Sequence, residues 1–143
     1  MLECSVIILN WNGEAMLRRY LPSVIQYTQL EGVEIVVADN GSTDASLEFL
    51  HSQPVRIIEL GENLGFAEGY NRAIEQVESK YVVLLNSDVE VTSNWLDTLL
   101  NYARAHEDVV AIQPKILSWQ SKEDAIKAGS SEILFEHAGA AGG

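Results

Sequence analysis

Three short polar clusters each follow an apolar run, and their residue types are those that hold nucleotides and hard cations. They are Asn10-Trp11-Asn12, Asp39-Asn40-Gly41-Ser42-Thr43-Asp44 and Asn86-Ser87-Asp88-Val89-Glu90. A carboxylate such as Asp39 can accept hydrogen bonds from a nucleobase imide or a ribose hydroxyl. It can equally serve a turn, because Asp-Asn-Gly-Ser is strong turn chemistry by itself. Trp11 offers a face on which any flat ring can stack, or else a core tryptophan beside the segment that follows. Asp88 with Glu90 could hold magnesium, which takes one or two carboxylates and fills its octahedron with water and phosphate oxygens. Two solvated loop acids would give the same pattern. Arg72 could reach a base carbonyl or a phosphate, or simply face solvent. His51, His106 and His137 show no ligand spacing, and Trp95 and Trp119 are expected to pack rather than bind.

The elements around these clusters alternate, short β-rich runs with longer amphipathic ones, which argues for a parallel sheet flanked by helices. Strands are expected at Cys4 to Leu9, Val33 to Ala38, Val55 to Leu60, Tyr81 to Leu85 and Val109 to Gln113. Helical periodicity covers about Glu14 to Thr28, with Leu17, Leu21, Val24, Ile25 and Thr28 inward. Pro22 should kink this stretch or divide it into two helices. A short helix from Asp44 to His51 is expected, capped by Ser42 or Thr43. In the next, Phe66, Tyr70, Ala73, Ile74 and Val77 form the inward stripe. Ser93 to Ala105 is the last helix, with Leu96, Leu99, Leu100 and Ala103 inward. Lys115 to Trp119 and Ile133 to Phe135 could be short strands, with a polar loop between them at Gln120 to Ser131. In such a sheet, ligands bind beyond the carboxyl ends of the strands, where strand order reverses. The three clusters sit at such ends, so they converge on one crevice if their strands are neighbours.

Composition narrows the chemistry. A length of 143 residues fits one domain, and 47% hydrophobic residues suffice for a core. Nine Lys and Arg against 21 Asp and Glu, a net charge of −12, make nucleic acid a poor partner. An anionic small ligand would need helix N-termini, a few placed cations or a bound metal. Cys4 is the single cysteine, so neither an internal disulfide nor a Cys-x-x-Cys metal site can form. No apolar run approaches the roughly 18 residues of a membrane span, and no basic leader precedes the first strand, so a cytoplasmic location is expected.

In order and spacing, four segments resemble the family 2 glycosyltransferases. They are Ser5 to Gly13 (SVIILNWNG), Ile35 to Asp44 (IVVADNGSTD), Glu62 to Ile74 (ENLGFAEGYNRAI) and Tyr81 to Asp88 (YVVLLNSD). The Asn-Trp-Asn-Gly and Asn-Leu-Gly-Phe-Ala forms look most like a rhamnosyltransferase-type branch that builds bacterial surface polysaccharides. The resemblance implies a Rossmann-like GT-A fold, an open, mainly parallel α/β sheet flanked by helices. It also implies that residues 1–143 are a single, donor-binding part whose acceptor-binding part follows Gly143.

Residue by residue, Trp11 falls where the family stacks the base, with Asn10 beside it on the nucleotide. Asp39 matches the carboxylate that reads the base, and Arg72 a position that contacts the base in some members. Asp88 matches the last acid of the family's Asp-x-Asp motif, the ligand of Mg2+ or Mn2+ at the diphosphate. Asn86 replaces the motif's first acid and, with Ser87, is expected to hydrogen-bond the nucleotide. The family's general base matches nothing in this chain and is expected beyond Gly143. The implied partners are a nucleoside-diphosphate sugar and a saccharide or lipid-linked saccharide acceptor, with membrane-proximal assembly at the inner face and self-association as further expectations. A non-catalytic nucleotide-binding module of the same fold is the alternative. A nicotinamide-type Rossmann domain is disfavoured, since Asn-Trp-Asn-Gly stands where Gly-x-Gly-x-x-Gly would be needed.

Overall fold

The computed structural model describes residues 1–106, 111–114 and 135–137. Its elements run β1 (Leu2–Asn10), α1 (Glu14–Tyr27), β2 (Val33–Asp39), α2 (Ser46–His51), β3 (Arg56–Glu59), α3 (Phe66–Glu75), β4 (Ser79–Leu85), α4 (Trp95–Ala105), β5 (Ala111–Pro114) and β6 (Phe135–His137). The strands form one sheet in the order β3-β2-β1-β4-β5-β6. The first five are parallel, and β6 joins β5 antiparallel. β1 is central because it is apolar on both faces, as a strand covered on both sides must be. Cys4, Val6 and Ile8 point to the face that α1, α2 and α4 cover, and Ile7 points to the face beneath α3.

For α3 the change of face has a topological cause. β1, β2 and β3 step outward in one direction, and the chain then returns to place β4 on the other side of β1. A right-handed connection that reverses its direction across the sheet must also change face. α3 therefore lies opposite α1 and α2, with Tyr70 and Ala73 against Ile7, Val36 and Ala38. The point where strand order reverses lies between β1 and β4.

The helices follow their stripes with three departures. α1 buries Leu17, Leu21 and Val24, each worth about 1.5–3 kcal/mol when taken out of water. Thr28 is buried just past its end and accepts a 3.0 Å bond from Trp95 Nε1, which packs α4 onto α1. Pro22 lies inside α1 without dividing it. Pro22 and Arg18 are exposed, so water can take the Arg18 carbonyl that the missing N–H leaves free. α2 begins at Ser46 rather than Asp44, and neither Ser42 nor Thr43 caps it. Asp44 Oδ1 accepts from the Ser46 amide at 2.9 Å instead, because Ser42 is engaged elsewhere. Finally, Phe66 does not turn inward. It is 60% exposed at the first position of α3, where the helix projects past the sheet it covers.

β5 and β6 fall close to the strands expected near Val109 and Ile133. The readings for Lys115 to Trp119 and Gln120 to Ser131 lie outside the described residues.

Candidate functional site

Neighbouring registers bring the first two clusters together. Asn10 ends β1 directly beside Asp39, the end of β2. Asn10 Nδ2 donates to Asp39 Oδ1 at 3.0 Å and to Ser42 Oγ at 3.2 Å. Ser42 in turn donates its hydroxyl to Asp39 Oδ1 at 2.7 Å and its amide to Oδ2 at 2.9 Å. Asp39 is only 1% exposed, and one acceptor position on Oδ2 remains after these three bonds. The carboxylate is thus fixed in orientation before any ligand arrives. Asn10 is equally buried, and its Oδ1 has no partner among the described residues. A Cβ on Gly13 would stand 2.6 Å from that oxygen, so a glycine is needed where the turn passes.

The next pair of residues locks the two loops to each other. Asn12, at φ 49°, accepts from the Thr43 and Asp44 amides at 2.7 and 3.3 Å and gives its own amide to Ser42 Oγ at 2.9 Å. Asp44 Oδ2 accepts from Glu14 N, one of the free amides opening α1, at 3.1 Å. Against a small desolvation effect in the opposite sense, hydrogen bonding to Ser46 and to the Glu14 amide holds the exposed Asp44 carboxyl below its usual range. Trp11 stands between the two fixed residues Asn10 and Asn12, with 54% of its surface exposed. It is not a core tryptophan.

The third cluster follows β4, the neighbour of β1 on its other side. Ile8 pairs with Leu85, so Asn86 leaves the sheet where β1 ends. Asn86 and Ser87 are half-buried, whereas Asp88 and Glu90 are exposed. Val91 anchors the far side of this loop, its amide donating to Ser23 Oγ of α1 at 3.2 Å. Tyr70 supports it from below by donating its hydroxyl to Leu85 O at 2.9 Å. Burial raises the Tyr70 pKa to about 12 and the negative charge of Asp88 acts in the same sense, so the phenol stays a donor at any physiological pH. Among the described residues no three His, Cys, Asp or Glu side chains gather to hold a metal unaided.

Arg72 lies off the inner face of α3, as its position in the stripe predicts. Its guanidinium reaches Glu68 Oε1 at 3.3 Å rather than the Asn10–Asp39 network. Trp95 packs, as expected, at 1% exposure. Asn12, Asn40 and Tyr70 went unread as organisers. Asn40 alone makes three side-chain bonds, donating to Asn63 Oδ1 and Gly65 O and accepting from Leu64 N. The available signal was an asparagine just beyond a strand end, a residue that suits turns and left-handed backbone.

The arrangement is therefore a group of polar loops beyond the carboxyl ends of β1, β2 and β4, with one oriented carboxylate, one exposed indole and an acidic loop. The family model for glycosyl transferase family 2 matches residues 5–133. The chain belongs to that family. Among its relatives is YfnE of Bacillus subtilis, an uncharacterised glycosyltransferase, 32% identical over 75% of this chain and 28% of that protein. An N-acetylglucosaminyl-diphospho-decaprenol L-rhamnosyltransferase of Mycobacterium tuberculosis is 29% identical over 78% of this chain and 40% of its own. The solved structure of S. aureus TarS 1–349 in complex with UDP-GlcNAc superposes with a TM-score of 0.66 at 24% identity, covering 74% of this chain and 32% of that one. That likeness establishes the fold as GT-A. The family member described here spans about a third of the length of the relatives first matched, 35% and 28%. Among its described residues no helix is long and apolar enough to cross a membrane.

Proposed function

We propose that this chain is the donor-binding part of an inverting glycosyltransferase, which holds a nucleoside-diphosphate sugar at the loops beyond β1, β2 and β4. In the whole protein the sugar would pass to a hydroxyl of a saccharide or lipid-linked saccharide acceptor, in cell-surface polysaccharide synthesis. The observation that carries this reading is the bond between Asn10 and Asp39 across adjacent strand ends, with Trp11 exposed beside it. A base stacked on Trp11 would meet the remaining acceptor position of Asp39 with its imide N–H. Asn10, buried and bonded to Asp39, orients that carboxylate rather than touching the base. Arg72 would have to leave Glu68 to reach a base carbonyl, a small loss for a pair in which both side chains are exposed. The rhamnosyltransferase relative and the Asn-Trp-Asn-Gly and Asn-Leu-Gly-Phe-Ala segments support a deoxysugar donor.

The exposed carboxylate of Asp88 fits a hard cation that takes the rest of its shell from diphosphate and water. Such an ion, Mg2+ or Mn2+, would neutralise charge developing on the departing nucleoside diphosphate. Asp88 would hold it, while Asn86 and Ser87 hydrogen-bond the ribose or pyrophosphate. Attack by the acceptor oxygen on the anomeric carbon breaks the bond to the β-phosphate, and a general base outside these 143 residues takes the hydroxyl proton.

Isothermal titration with UDP and dTDP, with and without manganese, tests these assignments. Asp39→Ala should weaken binding under both conditions, and Asp88→Ala should remove only the gain due to manganese. Equal behaviour of the two variants would refute one assignment. A folded sample that binds neither nucleotide at millimolar concentration would refute the donor site altogether.

A further inference from the structure

We propose that Phe66 is a base-contacting residue, a second aromatic wall that packs against the nucleobase held at Trp11 and Asp39. This rests on the donor-site reading and adds to it a residue that determines affinity for the base. α3 carries the chain back from β3 to β4 and so runs against the strands, starting beyond their carboxyl ends. Tyr70 marks its depth, since the hydroxyl meets Leu85 O at the last residue of β4. Gly69 marks its lateral place, because a Cβ there would lie 2.9 Å from Leu9 Cδ1 and 3.1 Å from Asn40 Nδ2. Phe66 precedes Tyr70 by about one turn, or roughly 6 Å of helix rise, which sets it beyond the strand ends, on the side where Trp11 and Asp39 lie.

The ring is also held. Its edge meets the Tyr70 ring at 4.9 Å with an interplanar angle of 75°. Asn40, next in sequence to Asp39, clasps Asn63, Leu64 and Gly65, and Gly65 turns at φ 83° into the helix. The segment that presents Phe66 is therefore tied to the residue that follows the buried carboxylate. A fixed aromatic face loses little freedom when a ligand covers it. Phenylalanine has no donor for a phosphate and no ligand for a metal, so the partner it suits is the flat base rather than the diphosphate.

The test compares Phe66→Ala, Phe66→Leu and Phe66→Tyr with the unaltered chain by isothermal titration against UDP, dTDP and pyrophosphate with manganese. Thermal melts check folding. Phe66→Ala should weaken both nucleotides about five-fold or more, the lower end of what removing a base-stacking aromatic does. Phe66→Leu, which keeps apolar packing on Tyr70, should lose an intermediate amount, and Phe66→Tyr should match the unaltered chain. Pyrophosphate binding should not change. Equal loss for pyrophosphate and nucleotides would make Phe66 a structural residue and overturn the proposal. Unchanged nucleotide binding by Phe66→Ala, with Trp11→Ala weakened, would overturn it and leave the donor site standing. Failure of the unaltered chain to bind either nucleotide would remove both.

Discussion

Asn12 is exposed, yet it does the work of a buried latch. Its Oδ1 takes the amides of Thr43 and Asp44, and its backbone, at φ 49°, occupies the left-handed region that asparagine tolerates better than most residues. Asn12→Ala loses the acceptor and suffers the backbone strain, so a loss of about 1–2 kcal/mol in urea unfolding is expected. Asn12→Asp keeps an acceptor and should stay near the starting stability. Nucleotide affinity should follow the same order, because Trp11 is presented between Asn10 and Asn12. Affinity in Asn12→Ala equal to that of the unaltered chain would show that the latch does not position the indole. Gly41 is a stricter case. At φ 81°, with Glu62 Cα only 2.7 Å from where a Cβ would go, it lets the loop after β2 lie on the loop after β3. Gly41→Ala should destabilise by roughly 1–3 kcal/mol or more, read from the urea midpoint.

At the scale of elements, α1 is the one that breaks a local rule. Pro22 removes a backbone bond from a helix whose inner face, Leu17, Leu21 and Val24, holds it in place. Pro22→Ala restores the bond to the Arg18 carbonyl and should add about 2 kcal/mol of stability after the greater freedom of the unfolded chain is counted, read as a higher melting temperature. A lower melting temperature would mean that the proline is fitted to its site. The sheet-forming elements were legible because apolar runs of β-branched residues admit few other readings, and β1 and β4 are the clearest, whereas the order of the strands in the sheet was left open. Phe66 was misread for a definite reason. Periodicity reports which side of a helix a residue occupies, but not whether the helix still has sheet beneath it at that point. Of the two outcomes expected at Pro22, division into two helices does not occur, because propensity is local and burial of the opposite face outweighs it. The clusters at Asn10, Asp39 and Asn86 stood out as polar residues at strand ends, whereas the cross-strand contacts of Asn40 and Asn12, to residues 23 to 32 positions away, leave no trace in local pattern.

The molecule as a whole sets the electrostatic terms on which a diphosphate can enter. With a net charge of −12 and an exposed acidic loop at Asp88 and Glu90, the long-range field repels an anion. Nearby Arg72 is already paired with Glu68, so a placed cation is scarce at this mouth. Salt screens that field, the Debye length falling from about 30 Å at 0.01 M to about 10 Å at 0.1 M ionic strength. Without divalent cations, UDP should therefore bind more tightly as sodium chloride rises through this range. A nucleotide site built from lysine and arginine would behave the opposite way. Manganese at saturating concentration should flatten the dependence, because the ion cancels charge locally where Asp88 meets the diphosphate. Titrations at fixed pH across the two salt limits decide the matter. UDP binding that weakens with salt in the absence of manganese would mean that cations of the protein itself meet the phosphates, and the role given to Asp88 would have to be withdrawn.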